Sequence, residues 1–318
     1  MLLYVKLVFV ILAITISTGC SANEDNLTVR ILFAGDLMLD RGVKRSVYKN
    51  FGGRYEMLFV ELTNYFYSFD TLVVNLEGPI SARGNQIPKK YSFRFETNVV
   101  EALKFANIRV VNLANNHIYD WGYEAFLDTL SILSSNNIGF FGLSDLSNTS
   151  VLYIFVKTNE YSIVKVGFLG FSEFFPGLEA SKKRPVSIAI AKDKYIRKVV
   201  PSAKSNVDFL VVSFHWGEEY KKTNNRFQEV LGKLCIDLGA DIVIGHHPHV
   251  IQNYEVYRDK YIFYSLGNFV FDQRFSEETM KVGLVELEII KSGTNILAKV
   301  GITNFYQDIK TLQLRSER

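Results

Sequence analysis

Gly239–Gln252 reads GADIVIGHHPHVIQ: an apolar, β-branched run that stops at a glycine and gives way to three histidines within four positions. A short apolar run bounded by turn residues is the signature of a strand buried on both faces. His246, His247 and His249 therefore sit where such a strand ends. The two remaining histidines of the chain repeat the pattern. His117 follows the apolar run of IRVVNLANNHIYDWG, and His215 closes that of VDFLVVSFHWGEEY. Core packing gives no reason to confine all five histidines to strand ends. A metal or acid–base site does, because groups remote in sequence converge where strands of one sheet terminate.

Working outward, similar runs start at Val29 (VRILFA), Thr71 (TLVVN), Ile108, Ser162 (SIVKVGFLGF), Val207, Asp241 and Tyr261 (YIFYSLG). Helical patterns lie between several of them: TNVVEALKFAN, GYEAFLDTLSILSSNN and RFQEVLGKLCIDLGA. This alternation predicts an α/β fold with a largely parallel sheet covered by helices. Near the end, KVGLVELEII, the turn KSGTN and ILAKVGITNFY predict a C-terminal β-hairpin. Residues 29–318 are expected to form one domain. The loop GPISARGNQIP, closed by Pro79 and Pro88, is long enough to serve a site.

At the N-terminus, LVFVILAITI is too short to span a bilayer, which takes about 20 residues, and suits the core of an export signal. It leads to STGC, so residues 1–19 are expected to be a lipoprotein-type signal. Cys20 would be the lipidated first residue of an exported, membrane-anchored protein, with residues 20–28 as a polar tether. An ordinary signal peptide with an incidental cysteine is the alternative. The other cysteine, Cys235, falls on the apolar stripe of a helical pattern and is expected to be a buried thiol. The formal charge of +3 falls to about +2 once the lysine of residues 1–19 is set aside. That balance argues against a nucleic-acid partner.

Residues just after the predicted strands supply the candidate site: Asp36 in AGDLMLDR, Asn75 and Glu77 in NLEGP, and Asn116, His117 and Asp120 in NLANNHIYDWG. His215 and Glu219 follow in SFHWGEEY, then His247 and His249 in GHHPH. Taken singly, the aspartate suits a helix cap, the asparagines a turn, and His215 a core hydrogen bond. Together, carboxylate, amide oxygen and imidazole form a mixed ligand set. Such a set suits Mn²⁺, Fe or Zn²⁺ better than Ca²⁺ or Mg²⁺.

The ordered set AGDLMLDR, NLEGP, NLANNHIYDWG, SFHWGEEY, GADIVIGHHPHVIQ and YSLGNFVFDQ, running from Ile31 to Gln273, resembles the bacterial capsule-synthesis protein A (CapA) family. Members of that family are linked to poly-γ-glutamate capsule production. The family in turn resembles the calcineurin-like metallophosphoesterases, which implies a two-sheet α/β sandwich flanked by helices and carrying a two-metal site. The resemblance assigns Asp36, Glu77 and His249 to a first metal, and Glu77, Asn116, His215 and His247 to a second. Two departures stand out. Met38 occupies the position of a usual histidine ligand, and Glu77 replaces a bridging aspartate. One firm metal and one weak or absent metal are therefore expected, with His247 preferred to His246 because His-Pro-His keeps the His-x-His spacing.

His117 is expected to protonate a leaving group, with Asp120 orienting it. Arg41, Asn75 and Glu219 are reserved for an anionic polymer or phosphoester substrate, while Asn268 suits either a turn or a ligand. The implied activity is metal-dependent hydrolysis or transfer. Two alternatives are carried: a tethered, non-catalytic assembly component of a polymer synthesis or export complex, and a surface phosphoesterase unrelated to capsule.

Overall fold

The computed structural model describes residues 10–12, 26–145, 150–174, 180–181 and 183–316. Cys20 and most of the expected signal segment lie outside them.

The strands separate into two large sheets. In the first, Leu27–Leu37, Thr71–Leu76, Ile108–Asn112 and Gly139–Phe141 run parallel in that order. In the second, Ile163–Ser172, Phe209–His215, Ile242–His246 and Lys260–Phe263 form another parallel core. The single parallel sheet read from strand–helix alternation is thus corrected to two. Alternation shows which segments are strands, but not which strands pair. The sandwich implied by the family resemblance is the architecture found.

Continuous apolarity along each strand has a direct consequence. Ile31 and Phe33 join Val73, Val110, Phe168, Val211 and Ile244 in a core between the sheets. Their neighbours Leu32 and Ala34 face outward, with Val43 and Val47 of helix Arg41–Phe51, Leu103 of Val99–Phe105 and Phe126 of Gly122–Ser135. On the far side, Leu210, Val212 and Val243 pack against Ile196 of Asp193–Lys204 and against Leu231 and Cys235 of Arg226–Asp237. A one-residue register slip would exchange both faces at once. Cys235 is buried and its thiol pushed well above its usual range by that burial, so it is inert.

The C-terminal hairpin pairs Lys281–Ser292 with Asn295–Gln307 from Lys281↔Tyr306 to Ser292↔Asn295, leaving Gly293 (φ 57°) and Thr294 as the turn. Rather than standing apart, it extends the first sheet, since Lys281–Ser292 also pairs antiparallel with Leu27–Leu37. Val10–Leu12 adds to its outer edge. Between the second sheet and the hairpin, Asn268–Val270 crosses over and pairs parallel to the end of Leu27–Leu37, setting Asn268 opposite Asp36.

That crossing requires Gly35. The Asp36 amide donates to the Gly267 carbonyl at 3.0 Å, and a Cβ on residue 35 would collide with the same oxygen. Gly35→Ala is expected to destabilise the fold by about 1–3 kcal/mol through overpacking. A urea unfolding midpoint unchanged from the parent would contradict this.

Candidate metal centre

The carboxyl ends of both parallel cores open on the same rim. From the first sheet come Asp36, inside its strand, Glu77 just past Thr71–Leu76, and Asn116 and His117 in the turn after Ile108–Asn112. The second sheet supplies His215 at a strand terminus and His247 and His249 beyond Ile242–His246. Both histidines flanking Pro248 carry positive φ, 97° at His247 and 58° at His249. Non-glycine residues rarely hold such angles, and backbone strain of this kind collects at functional sites.

Two groups of ligating atoms result. Asp36, Glu77 and His249 lie with one donor atom each within 4.8 Å of one another. Beside them, His215 Nε2 is 3.0 Å from Asn116 Oδ1 and 3.1 Å from His247 Nδ1. Three donors so close around one point match the edges of a coordination sphere with metal–ligand distances of about 2.0–2.2 Å. Burial drives the imidazoles of His215, His246 and His247 below their usual range, His246 to about 4 and His247 to about 3. All three are therefore in the neutral form that binds metal.

The carboxylates complete the fit. Glu77 is wholly buried, and its Oε1 has no hydrogen-bond partner among the described residues. His117 Nε2 lies 3.7 Å and His249 Nε2 3.8 Å from that oxygen. Burial first, and then the nearby Asp36, push the Glu77 carboxyl well above its usual range. An uncompensated buried carboxylate is costly, and a cation in this position removes the cost. Burial also opposes charge on Asp36, but the adjacent His249, its Nδ1 3.4 Å from Oδ2, outweighs it and holds the carboxyl below the normal range. The residues present fit a divalent metal.

Several partners were not legible in the sequence. Asn268 Nδ2 donates to Gln273 Oε1 and to the Thr279 carbonyl, which turns its Oδ1 toward His249 Nδ1 at 3.0 Å. His249 Nδ1–H therefore donates to Asn268, leaving Nε2 free to face Glu77. His117 Nδ1–H donates to Asp120 Oδ2 at 2.7 Å, and Phe93 stacks on the His117 ring at 4.0 Å. Lys89 pairs with the other Asp120 oxygen and donates to the Asn116 carbonyl. Phe174 packs on His247, with ring centroids 4.2 Å apart. His246 is buried too, its Nδ1 without a hydrogen-bond partner among the described residues and 3.8 Å from Asp36 Oδ1. Met38 is fully buried, and its sulfur accepts from the Asp40 amide.

The three substrate-binding candidates are placed differently. Asn75 has no exposure. Its Nδ2 donates to Asp36 Oδ1 at 2.8 Å and lies 3.2 Å from His215 Nδ1. Both contacts turn its amide toward candidate ligands rather than toward solvent. Glu219 is exposed and close enough to His247 and His249 to join a metal with them. Arg41 points one nitrogen at Asp272 Oδ1 (3.1 Å) and lies over the rings of Tyr91 and Phe93.

Residues 30–273, covering every strand-end group above, match the family described as Bacterial capsule synthesis protein PGA_cap. The chain belongs to this family. Among its curated relatives, the Capsule biosynthesis protein CapA of Bacillus anthracis is 34% identical over 86% of this chain and 67% of its own length. The PGA biosynthesis protein CapA of Bacillus subtilis (strain 168) is 35% identical over 82% of this chain and 68% of its own. Among solved structures, the sulfate thiohydrolase SoxB of Thermus thermophilus aligns over 89% of this chain and 57% of its own, with 12% identity and a TM-score of 0.44. Within this PGA_cap chain the family match ends at Gln273, the residue whose side chain fixes Asn268.

Proposed function

We propose that this PGA_cap protein is a metal-dependent hydrolase or transferase acting in capsule or poly-γ-glutamate synthesis. Export and a lipid on Cys20 would attach it to the membrane, near the machinery that makes or moves the polymer. The observation that carries the catalytic reading is the buried, unpartnered Glu77 Oε1 among Asp36, His117 and His249, beside the Asn116–His215–His247 cluster.

A bound Mn²⁺, Zn²⁺ or Fe ion would supply a water of lowered pKa and polarise a phosphoryl or acyl oxygen. The chain's own groups divide the remaining work. Asp36, Glu77 and His249 would hold one ion, and Asn116, His215 and His247, with Glu77, would hold a second. His117 holds its Nδ1 proton on Asp120 and presents Nε2 toward the Glu77 side of the cleft, 3.7 Å from Oε1. From there a protonated Nε2 can donate to a leaving oxygen. Asn75 fixes Asp36 and His215, and Asn268 fixes His249.

Asn268→Ala is expected to weaken metal affinity about 10–100-fold, the usual cost of losing a group that orients a ligand. Metal titration of variant and parent measures this, and equal affinities would contradict the assignment. Turnover of a generic phosphodiester and of poly-γ-glutamate after metal loading tests the reaction class. Cleavage of either one identifies the bond. Metal bound without turnover of any ester or amide would favour the assembly role, to which the thioether of Met38 in a ligand position lends support.

A further inference from the structure

Outside the metal centre, one cavity of about 390 Å³ is lined by Gly42, Arg45, Lys49, Asp272, Arg274 and Lys310, with Ser46 and Asn50 completing the helix side. Positions 42, 45, 46, 49 and 50 share one face of helix Arg41–Phe51, so Arg45 and Lys49 project into the groove one turn apart. Arg274 and Lys310 come from two other segments. Four cations thus meet a single carboxylate, and Asp272 is already engaged by Arg41 and by the Gly42 amide.

Several other cations of this chain are paired with carboxylates. Lys44, on another face of the same helix, contacts Glu96 at 2.9 Å, and Lys233 is shared by Glu229 and Glu255. Among the described residues, Arg45 and Lys49 have no carboxylate partner, Lys310 lies beside Asp308, and Arg274 donates to the Lys310 carbonyl. For a chain of formal charge +3, so local an excess is unbalanced.

The groove also adjoins the catalytic rim. Asp272 and Arg274 form its wall on one side. On the other, Gln273 contacts Asn268 and the Tyr220 hydroxyl, and the Tyr220 ring lies 6.2 Å from His249. Asp272 leads through Arg41 and Phe93 to His117.

We propose that this groove binds a polycarboxylate chain, holding successive carboxylates of an anionic polymer beside the metal centre. The inference rests on the reading above that the substrate belongs to poly-γ-glutamate synthesis. A γ-linked polyglutamate carries one free carboxylate per residue, and guanidinium groups match carboxylates bidentately. Several exposed cations acting on one polymer add binding that a monomer cannot gain.

The test is binding of end-labelled poly-γ-glutamate to the full chain and to its R45E/K49E variant at low and moderate salt. Melting temperature and metal content serve as controls of integrity. The expected result is a loss of affinity of about tenfold or more in the variant, together with a weaker dependence on salt. Unlabelled glutamate should fail to compete. If R45E/K49E does not fold, K310E on its separate turn is expected to lower affinity in the same direction. Polymer binding equal to the parent in a folded variant would overturn the proposal. So would polyphosphate binding much more tightly than poly-γ-glutamate in an Arg45/Lys49-dependent manner, because the groove would then be a phosphate-polymer site. Charge-dependent polymer binding by a chain that holds no metal would sink the hydrolase reading and leave the groove standing.

Discussion

A His117→Ala variant is expected to lose about 10²–10⁴ of metal-dependent turnover while still binding metal. The two effects separate because His117 stands beside the ligand clusters. Its Nδ1 is committed to Asp120 at 2.7 Å, and its ring is clamped by Phe93. Its Nε2 lies 3.7 Å from Glu77 Oε1, at the edge of the cluster, where it can reach an atom bound beside that oxygen. Burial lowers the His117 pKa and Asp120 opposes that shift, so the carboxylate is the group that favours the protonated ring. Rates and metal content are measured on the same preparation. Retained turnover would remove His117 from the chemistry, and loss of metal would make it a ligand.

The second large effect concerns metal and stability together. Removing the ion leaves Glu77 buried, without a partner for Oε1 and without compensating charge. Metal at a hundred times its dissociation constant should add about 2.7 kcal/mol to the folded state. For domains of this general size each kcal/mol moves the melting temperature by about 2–4 °C. A rise of several degrees is therefore expected on adding Mn²⁺ or Zn²⁺ to chelator-treated protein. In His247→Ala this rise should shrink sharply, because Asn116 and His215 lose the third donor, now 3.1 Å from His215 Nε2. Thermal scans with and without metal measure both, and an equal rise in parent and variant would place the ion elsewhere.

Much of the site was legible because histidine is scarce in this chain and confined to strand ends. Apolar runs gave the strands, and period-2 burial within them, such as Ile31 and Phe33 against Leu32 and Ala34, follows from the same pattern. The division into two sheets was not legible from the runs themselves. It depends on pairings between remote segments, such as Asn268 with Asp36. Asn75 is a similar case. Its type and its place beside Glu77 fit a substrate group, whereas pairing beside Asp36 turns its amide inward. The partner of Arg41, Asp272, lies 231 positions away, and no local signal joins them. Helices Arg41–Phe51 and Asp193–Lys204 were hidden by many charges and, in the second, by Pro201. The first of these carries the basic face of the groove.

The most direct test of the central claim is metal content. Full-length protein and its His247→Ala variant would be loaded with Mn²⁺, Zn²⁺ or Fe²⁺, freed of excess ion and assayed for bound metal per chain. About one equivalent or more in the parent, and a clear loss in the variant, is the result that the buried carboxylate and neutral histidines predict. A parent that emerges free of all three metals would contradict it.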